Sequence, residues 1–378
     1  MDYEFSKTQK ILKDEAHRFL AKECPSDVVR EMAEDEIGYS RDMWQKMAEL
    51  DWMGIMVPEQ YDGMGGSFLD MTALLSEMGY HCMQGPYFAT VVMGGLCILE
   101  AANDTQKADI LPPVCRGERL LSVAWVESDG TYNPEGISMT AELQGDEYLL
   151  NGTKLFVPYA HVADRLVCAT RTGQRTDDNH SGITLFVVNT RQPGISIEPL
   201  ITMAGDKQSA VNFKNVRVSK DNLLGQLDQG WGVLKKVLLM AAVAKCAEMI
   251  GGAQKAMDMA VPYAKGREQF GRPVGAFQAV QHHCANMLTY SDTLKFMAYQ
   301  AAWRISERLP FEKEASMCKA WGSDAYRRLV ALAHQVVGGM GFMEEYDLQL
   351  YFKHAKAAEQ VLGDADFHRE LVAQEMQM

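Results

Sequence analysis

Hydrophobic spacing changes period twice along this chain, and that change limits the fold more than any other feature. From Lys7 to about Arg116, apolar residues recur at three- and four-residue steps, among them Ile11, Phe19, Met43, Met47, Met71, Leu75, Met78, Leu96 and Leu99. That spacing predicts several packed helices, broken at Pro58 to Gly66 and at Gly85-Pro86. Between Leu121 and Val218 the segments LSVAWVE, EYLLNG, KLFVP, DRLVCAT, GITLFVV, GISIEPL and AVNFKNVRV are short, rich in β-branched and aromatic residues, and separated by Gly, Asn, Asp and Pro. These predict strands. After Gly230-Trp231-Gly232 the helical period returns and runs to the C-terminus, with breaks at Gly266 to Gly275, Leu309-Pro310 and Gly338 to Gly341. Strands confined to the middle argue for an α+β fold and against alternating βαβ units. The expected division is a helical domain over 1–118, a β-domain over 119–226 and a helical domain over 227–378. A chain of 378 residues exceeds the size at which one core keeps growing, which agrees with several packed substructures.

Charge and cysteine usage narrow the function. With 37 basic against 50 acidic side chains the net charge is −13, and no Lys/Arg-rich run stands out, so nucleic acid and anionic membrane surfaces are disfavoured partners. The eight cysteines are scattered singly, with no CxxC pair and no His at metal-ligand spacing, and they read as reduced core residues. The N-terminal run MDYEFSKTQKILKDEAHRFL is an amphipathic helix pattern without the marks of a signal or transit peptide, and no apolar run reaches the roughly 18 residues that span a bilayer. A cytoplasmic protein is expected. Neither G-x-G-x-x-G after a strand nor G-x-x-x-x-G-K-[ST] occurs, so a bound nucleotide would need some other cradle.

The helical breaks supply candidates for one. In GREQFGRPVGAFQAVQHHCANM, glycines 266, 271 and 275 allow close backbone approach, and Arg267 presents a planar fork suited to two phosphate oxygens. In HQVVGGMGFMEEY, Gln335 stands beside the exposed amides of Gly338 and Gly339, a resting place for phosphate or ribose oxygens. Read alone, an arginine in such a turn serves equally well as a helix C-terminal charge or a surface ion-pair partner.

The same stretches resemble the acyl-CoA dehydrogenase family. REQFGRPVGAFQAVQHHCANM is similar to the family's R-x-x-F-G…[F/H]-Q signature, and HQVVGGMGFMEEYDLQLYFKHAK to its Q-x-x-G-G-x-G-[YF]-x-x-E-Y segment. WMGIMVPEQYDGMGG, NDTQKADILPPVCRGERLLSVAWVES, NGTKLFVPYAHVADRLVCAT and VNFKNVRVSKDNLLG match further family segments in order, so the resemblance covers nearly the whole chain. It implies an N-terminal helical domain, a central antiparallel β-domain and a C-terminal four-helix bundle, with FAD between the β-domain and the bundle. Arg267, Phe270 and Gln278 match positions facing the pyrophosphate and adenosine end of FAD, while Gln335, Gly338 and Gly339 match the part of the cradle lent by a neighbouring subunit. Val126, Val157 and Pro158 match positions against the isoalloxazine ring. The implied chemistry is α,β-dehydrogenation of an acyl-CoA, the α-proton passing to a carboxylate and the β-hydride to flavin N5. A tetramer, of one chain or with a sister chain, and electron-transferring flavoprotein as acceptor follow from the same resemblance.

The base is where this chain departs from the family. Aligning KHAKAAEQVLGDADFHRE on the family's C-terminal segment puts Leu362 where a Glu commonly stands, and the alternative position on the helix before Arg267 reads Ala241, followed by Ala242. Glu248 lies seven residues after Ala241 on the same helical face, displaced by about 10 Å, in small apolar surroundings that favour a raised pKa. It serves equally well as an ion-pair partner of Lys245. Asp364 and Asp366 flank the lost Glu position, and N-capping of a helix over FHREL explains either of them. The ring-facing positions carry Val126 and Pro158 where the family often has Thr. Two readings stay open: an active flavoenzyme with a relocated base such as Glu248 or Asp364, and an FAD-cradling half-site subunit of a heteromeric enzyme, since GPYFATVV and the L-G-D-x-x-x-H-R-E ending resemble the smaller chains of such enzymes. A flavin-dependent lyase or desulfinase needing no base is a third.

Overall fold

The computed structural model describes residues 5–173 and 180–377. In chain order, helices α1 (Lys7–Glu23), α2 (Ser26–Glu34), α3 (Arg41–Glu49) and α4 (Phe68–Tyr80) precede a π-helical stretch at Phe88–Gly95, α5 (Leu96–Ala101) and α6 (Asp104–Cys115). Strands β1 (Leu121–Ala124), β2 (Thr140–Gln144), β3 (Glu147–Pro158), β4 (Arg165–Arg171), β5 (Ile183–Asn189), β6 (Ile195–Leu200), β7 (Gln208–Ser219) and β8 (Leu223–Leu224) follow. The helix α7 (Gly230–Gly266), the two-strand ribbon β9 (Glu268–Gln269) and β10 (Arg272–Pro273), then α8 (Gln278–Ser306), α9 (Glu312–Val337), α10 (Leu348–Gln360) and α11 (Ala365–Glu375) complete the chain.

Contacts gather into two compact units. One holds Met1–Glu31, Ser67–Met83 and Leu239–Met378, and the other holds Met32–Gly66 and Gln84–Leu238. Both therefore draw on the segment before residue 118.

The first unit is helical. Its α4 begins with a reciprocal cap, Ser67 accepting from the Asp70 amide while the Asp70 side chain accepts from the Ser67 amide, and α1 uses Ser6 and Gln9 in the same way. Small residues set how α4 meets α7. A Cβ at Gly79 would stand 1.9 Å from the Glu248 carbonyl oxygen, and one at Gly251 would stand 1.8 Å from that of Ser76. The two backbones touch only because both positions are glycine. Around that crossing Ala241, Ala242, Val243, Ala244 and Ala247 are fully buried, so α7 is a buried helix that α4 and α9 close upon. A Cβ at Gly252 would likewise stand 2.0 Å from the Tyr326 hydroxyl, which fixes where α9 can approach.

The second unit is built on an eight-stranded sheet, ordered β6-β7-β3-β2-β4-β5-β8 with β1 added beside β4. Pairing is antiparallel except where β1 and the start of β2 run parallel to β4, an addition to the antiparallel sheet expected from sequence. Strand β1 comes straight from a helix, with no hairpin partner to reverse it. EYLLNG and KLFVP, which read as two strands, form the single strand β3, and Asn151-Gly152 marks an irregularity in its pairing with β7 between Leu150 and Gly152. Gly152 has φ +149°, so the separator glycine bends a strand without ending it. Inward-facing Leu150, Leu166, Cys168, Phe186, Val211 and Val216 make its core. All eight cysteines are free, seven of them buried. Among the described residues no helix is long and apolar enough to cross a membrane.

Candidate functional site: exposed glycine bends and a missing carboxylate

The bend between α7 and α8 is a miniature hairpin. Gln269 pairs with Arg272, and the two residues between them, Phe270 and Gly271, have φ of +55° and +76°, the signs a two-residue hairpin turn demands. Glycine meets that demand freely. A phenylalanine does not, so Phe270 holds a conformation that bulky residues seldom adopt, with its ring 93% exposed. The Val274 amide donates to the Arg267 carbonyl at 2.7 Å and locks the ribbon to the end of α7. Arg272 lies 4.1 Å from the Phe277 ring centroid, and Phe270 meets the same ring edge-on at 6.2 Å. Both Arg267 and Gln278 are exposed, and α8 starts without a side-chain cap. The Arg267 guanidinium has no side-chain partner among the described residues.

At the end of α9 the chain turns through Gly338, whose φ of +71° and ψ of −148° belong to a region nearly restricted to glycine. Added Cβ atoms at Gly338 or Gly339 would meet nothing within 4 Å, whereas Gly341 behind them already packs on His334. Gln335 is exposed, and His334 is buried, its Nδ1 within 2.9 Å of the Val330 carbonyl oxygen and its ring against Phe342 and Phe352. The Gly338 amide, expected from sequence to be exposed, instead donates to the His334 carbonyl and closes α9. Open space above the α-carbons of Gly338 and Gly339, with an Arg267 guanidinium that has no side-chain partner among the described residues, leaves room that fits the diphosphate and adenosine of FAD.

In the β unit the expected ring-facing residues divide by role. The Leu155 amide donates to the Val126 carbonyl at 2.9 Å, which joins 125–127 to β3. A second irregularity lies between Lys154 and Val157, and within it Phe156 takes φ +53° and turns its side chain outward, 56% exposed. Val157 packs in the sheet core and is paired with Ser209 of β7, so its side chain is closed to a ligand. The Pro158 carbonyl accepts from Ser122 Oγ at 2.6 Å. Behind these segments lies a pair that sequence reasoning passed over. Lys154 Nζ, fully buried, is 2.7 Å from Glu127 Oε1, and Glu127 also accepts from the Ser138 and Met139 amides. Burial opposes ionisation of Glu127, but Lys154 and these donors outweigh it and hold the carboxyl below its usual range, while burial pushes the Lys154 ammonium down. A lysine alternating with apolar residues in KLFVP was the one available signal.

The carboxylates considered as proton acceptors are engaged. Glu248 pairs with Lys245 one turn back on α7, both side chains nearly enclosed at 12% and 13% exposure. Asp364 caps α11, accepting from the Phe367 amide at 2.9 Å, and Asp366 pairs with Arg369 at 2.5 Å. Leu362, where the family's Glu commonly stands, is buried and takes φ +65°, followed by Gly363 at φ +96°. That turn is tied down from beneath: Lys319 donates to the Gly363 and Glu359 carbonyls at 2.7 and 3.1 Å, and His368 Nε2 to the Leu362 carbonyl at 2.9 Å. Burial lowers the Lys319 ammonium to about 8. Ala241 and Ala242 are fully buried.

The models of the acyl-CoA dehydrogenase N-terminal, middle and C-terminal domains match residues 6–118, 122–216 and 228–377. A 3-(aryl)acrylate reductase of Clostridium sporogenes is 30% identical, with 98% of each chain covered. The probable acyl-CoA dehydrogenase YngJ of Bacillus subtilis is 30% identical, with 100% of each covered. The structure of butyryl-CoA dehydrogenase from Megasphaera elsdenii superposes with a TM-score of 0.93 at 25% identity over 100% of both chains. The chain belongs to the acyl-CoA dehydrogenase family of FAD-dependent oxidoreductases.

Proposed function

We propose that this protein carries out α,β-oxidoreduction of an acyl-CoA thioester, with 1–118, 119–226 and 227–378 as its three functional segments. The observation that carries this reading is the pair of bends: an Arg267 guanidinium with no side-chain partner among the described residues at one, and Gly338 and Gly339 with open space above their α-carbons at the other. When bound, FAD supplies the two-electron acceptor for the β-hydrogen. Arg267, Phe270, Gln278 and Gln335 with the two glycines hold the diphosphate and adenosine, and Val126, Val157 and Pro158 offer backbone and apolar surface to the ring. A carboxylate must take the α-proton. If this chain supplies it, Glu248 does so by releasing Lys245. Electron-transferring flavoprotein is the acceptor this reading carries. The test is an acyl-CoA panel against the purified chain. Bleaching of the flavin band by one thioester, abolished in Glu248→Gln with FAD still bound, is expected; full bleaching in that variant removes Glu248.

A second reading is favoured by one specific observation: Leu362 and Ala241 are apolar and buried, while Glu248 and Asp364 are each held in a structural contact. In it the chain is the FAD-cradling partner in a heterotetramer, and a sister chain brings the base. This reading expects no bleaching by the chain alone and bleaching once a sister chain is added. Bleaching by the chain alone rejects it.

A further inference from the structure

A cluster in the helical unit takes no part in the chemistry above. His17 on α1, Glu77 on α4 and His81 at the C-terminal end of α4 each bring one nitrogen or oxygen to a common point, these atoms lying within 4.8 Å of one another. His17 Nδ1 is 2.8 Å from Glu77 Oε2, and the two histidine rings lie 5.2 Å apart. Glu77 and His81 are four apart, so one helical face presents both, and α1 packed on that face adds the third.

Two features of the cluster go beyond proximity. The Glu77 carboxylate is 6% exposed and, besides His17, is paired with Lys13 at 3.5 Å. His81 Nε2 is shielded from solvent and has no hydrogen-bond partner among the described residues. The carboxylate is shared by His17 and Lys13, but the shielded His81 nitrogen beside it is left without a partner, and a cation bound by all three groups satisfies it.

We propose that His17, Glu77 and His81 bind a divalent transition metal of the zinc type, clipping α1 to the end of α4. Two imidazoles and a carboxylate suit Zn2+, Co2+ or Ni2+, whereas Mg2+ and Ca2+ prefer all-oxygen sets. Bonds of about 2.0–2.2 Å place tetrahedral ligands roughly 3.3 Å apart, so the three groups close by side-chain adjustment, and water takes the fourth position. Lys13 is the competing cation and must swing away. With His17 half exposed, the metal can enter from solvent.

The experiment uses the untagged full-length chain, stripped with chelator and titrated with Co2+ while visible d–d absorption is followed, then with Zn2+ in competition. One equivalent is expected to bind with a tetrahedral-type spectrum, and Zn2+ to displace it and raise the unfolding temperature. His17→Ala, an exposed change that leaves the fold intact, is expected to weaken binding by more than about 100-fold and abolish the Zn2+-induced shift. His81→Ala is expected to do the same. His282→Ala/His283→Ala, which removes an adjacent pair on α8, is expected to leave both readouts unchanged. The proposal is overturned if no equivalent binds, if binding survives His17→Ala, or if His17→Ala lowers the unfolding temperature while Zn2+ shifts neither protein.

Discussion

Lys154 and Glu127 form an ion pair inside the β unit, 2.7 Å between Nζ and Oε1, with side-chain exposures of 0% and 8%. The pair bridges the segment after β1 to β3, the two stretches expected to lie against the flavin ring. Breaking such a pair from one side strands a buried charge and costs roughly 3–5 kcal/mol, more than the pair contributes as a whole. Lys154→Met should lower urea-monitored stability by that order and reduce bound FAD. Lys154→Met/Glu127→Gln should recover much of the loss, because neither charge is then left alone. Equal destabilisation in the single and double variants would refute this account.

Gly338 and Gly339 separate backbone strain from ligand space. Alanine at Gly338 must adopt φ +71° with ψ −148°, at a cost of roughly 1–3 kcal/mol, so both stability and FAD retention should fall. Gly339 carries no positive φ, and an added methyl meets no atom of this chain. Gly339→Ala should therefore leave urea-monitored stability within about 0.5 kcal/mol. If the amide there faces phosphate, FAD affinity should still fall, read by fluorescence titration of the apoprotein. Unchanged affinity in Gly339→Ala removes that glycine from the cradle.

The periods of 3.6 and 2 made the helical and β segments legible, because each buries one face and those faces are spaced in the sequence itself. Strand β2 escaped because TAELQ buries only Ala141 and has no alternating apolar run to read. The short ribbon in the Gly266 to Gly275 bend escaped because two residues on each side make no period. The proposed cradle positions come from a family pattern carried by glycines and one arginine, residues whose roles are backbone and charge. The Lys154–Glu127 pair was not, since its partners lie 27 positions apart and only the fold buries both. Glu248 shows the converse: Lys245 one turn back was visible as a partner, and the helix brings the two together. What a local pattern cannot state is which carboxylate remains free.

Acid should destabilise the helical unit through two histidines. Burial, with Lys245 nearby, lowers His354 to about 3, and burial, with Lys319 nearby, lowers His368 to about 4. His354 Nδ1 stands 3.2 Å from the Tyr326 hydroxyl, which donates to it only while that nitrogen is unprotonated. His368 gives its Nε2 proton to the Leu362 carbonyl and keeps a buried, unpartnered Nδ1. Both folded pKa values lie below the ordinary 6.5, so the unfolded chain binds protons first as pH falls. Their contribution is therefore complete above pH 6.5 and is lost progressively as pH falls toward 4 for His368 and toward 3 for His354, at a limiting slope of about 1.4 kcal/mol per unit for each histidine. Denaturant melts at successive pH values should show this loss, and His354→Gln/His368→Gln should flatten it even if its stability at pH 7 is lower. An unaltered slope in the double variant would show that other groups carry the acid sensitivity.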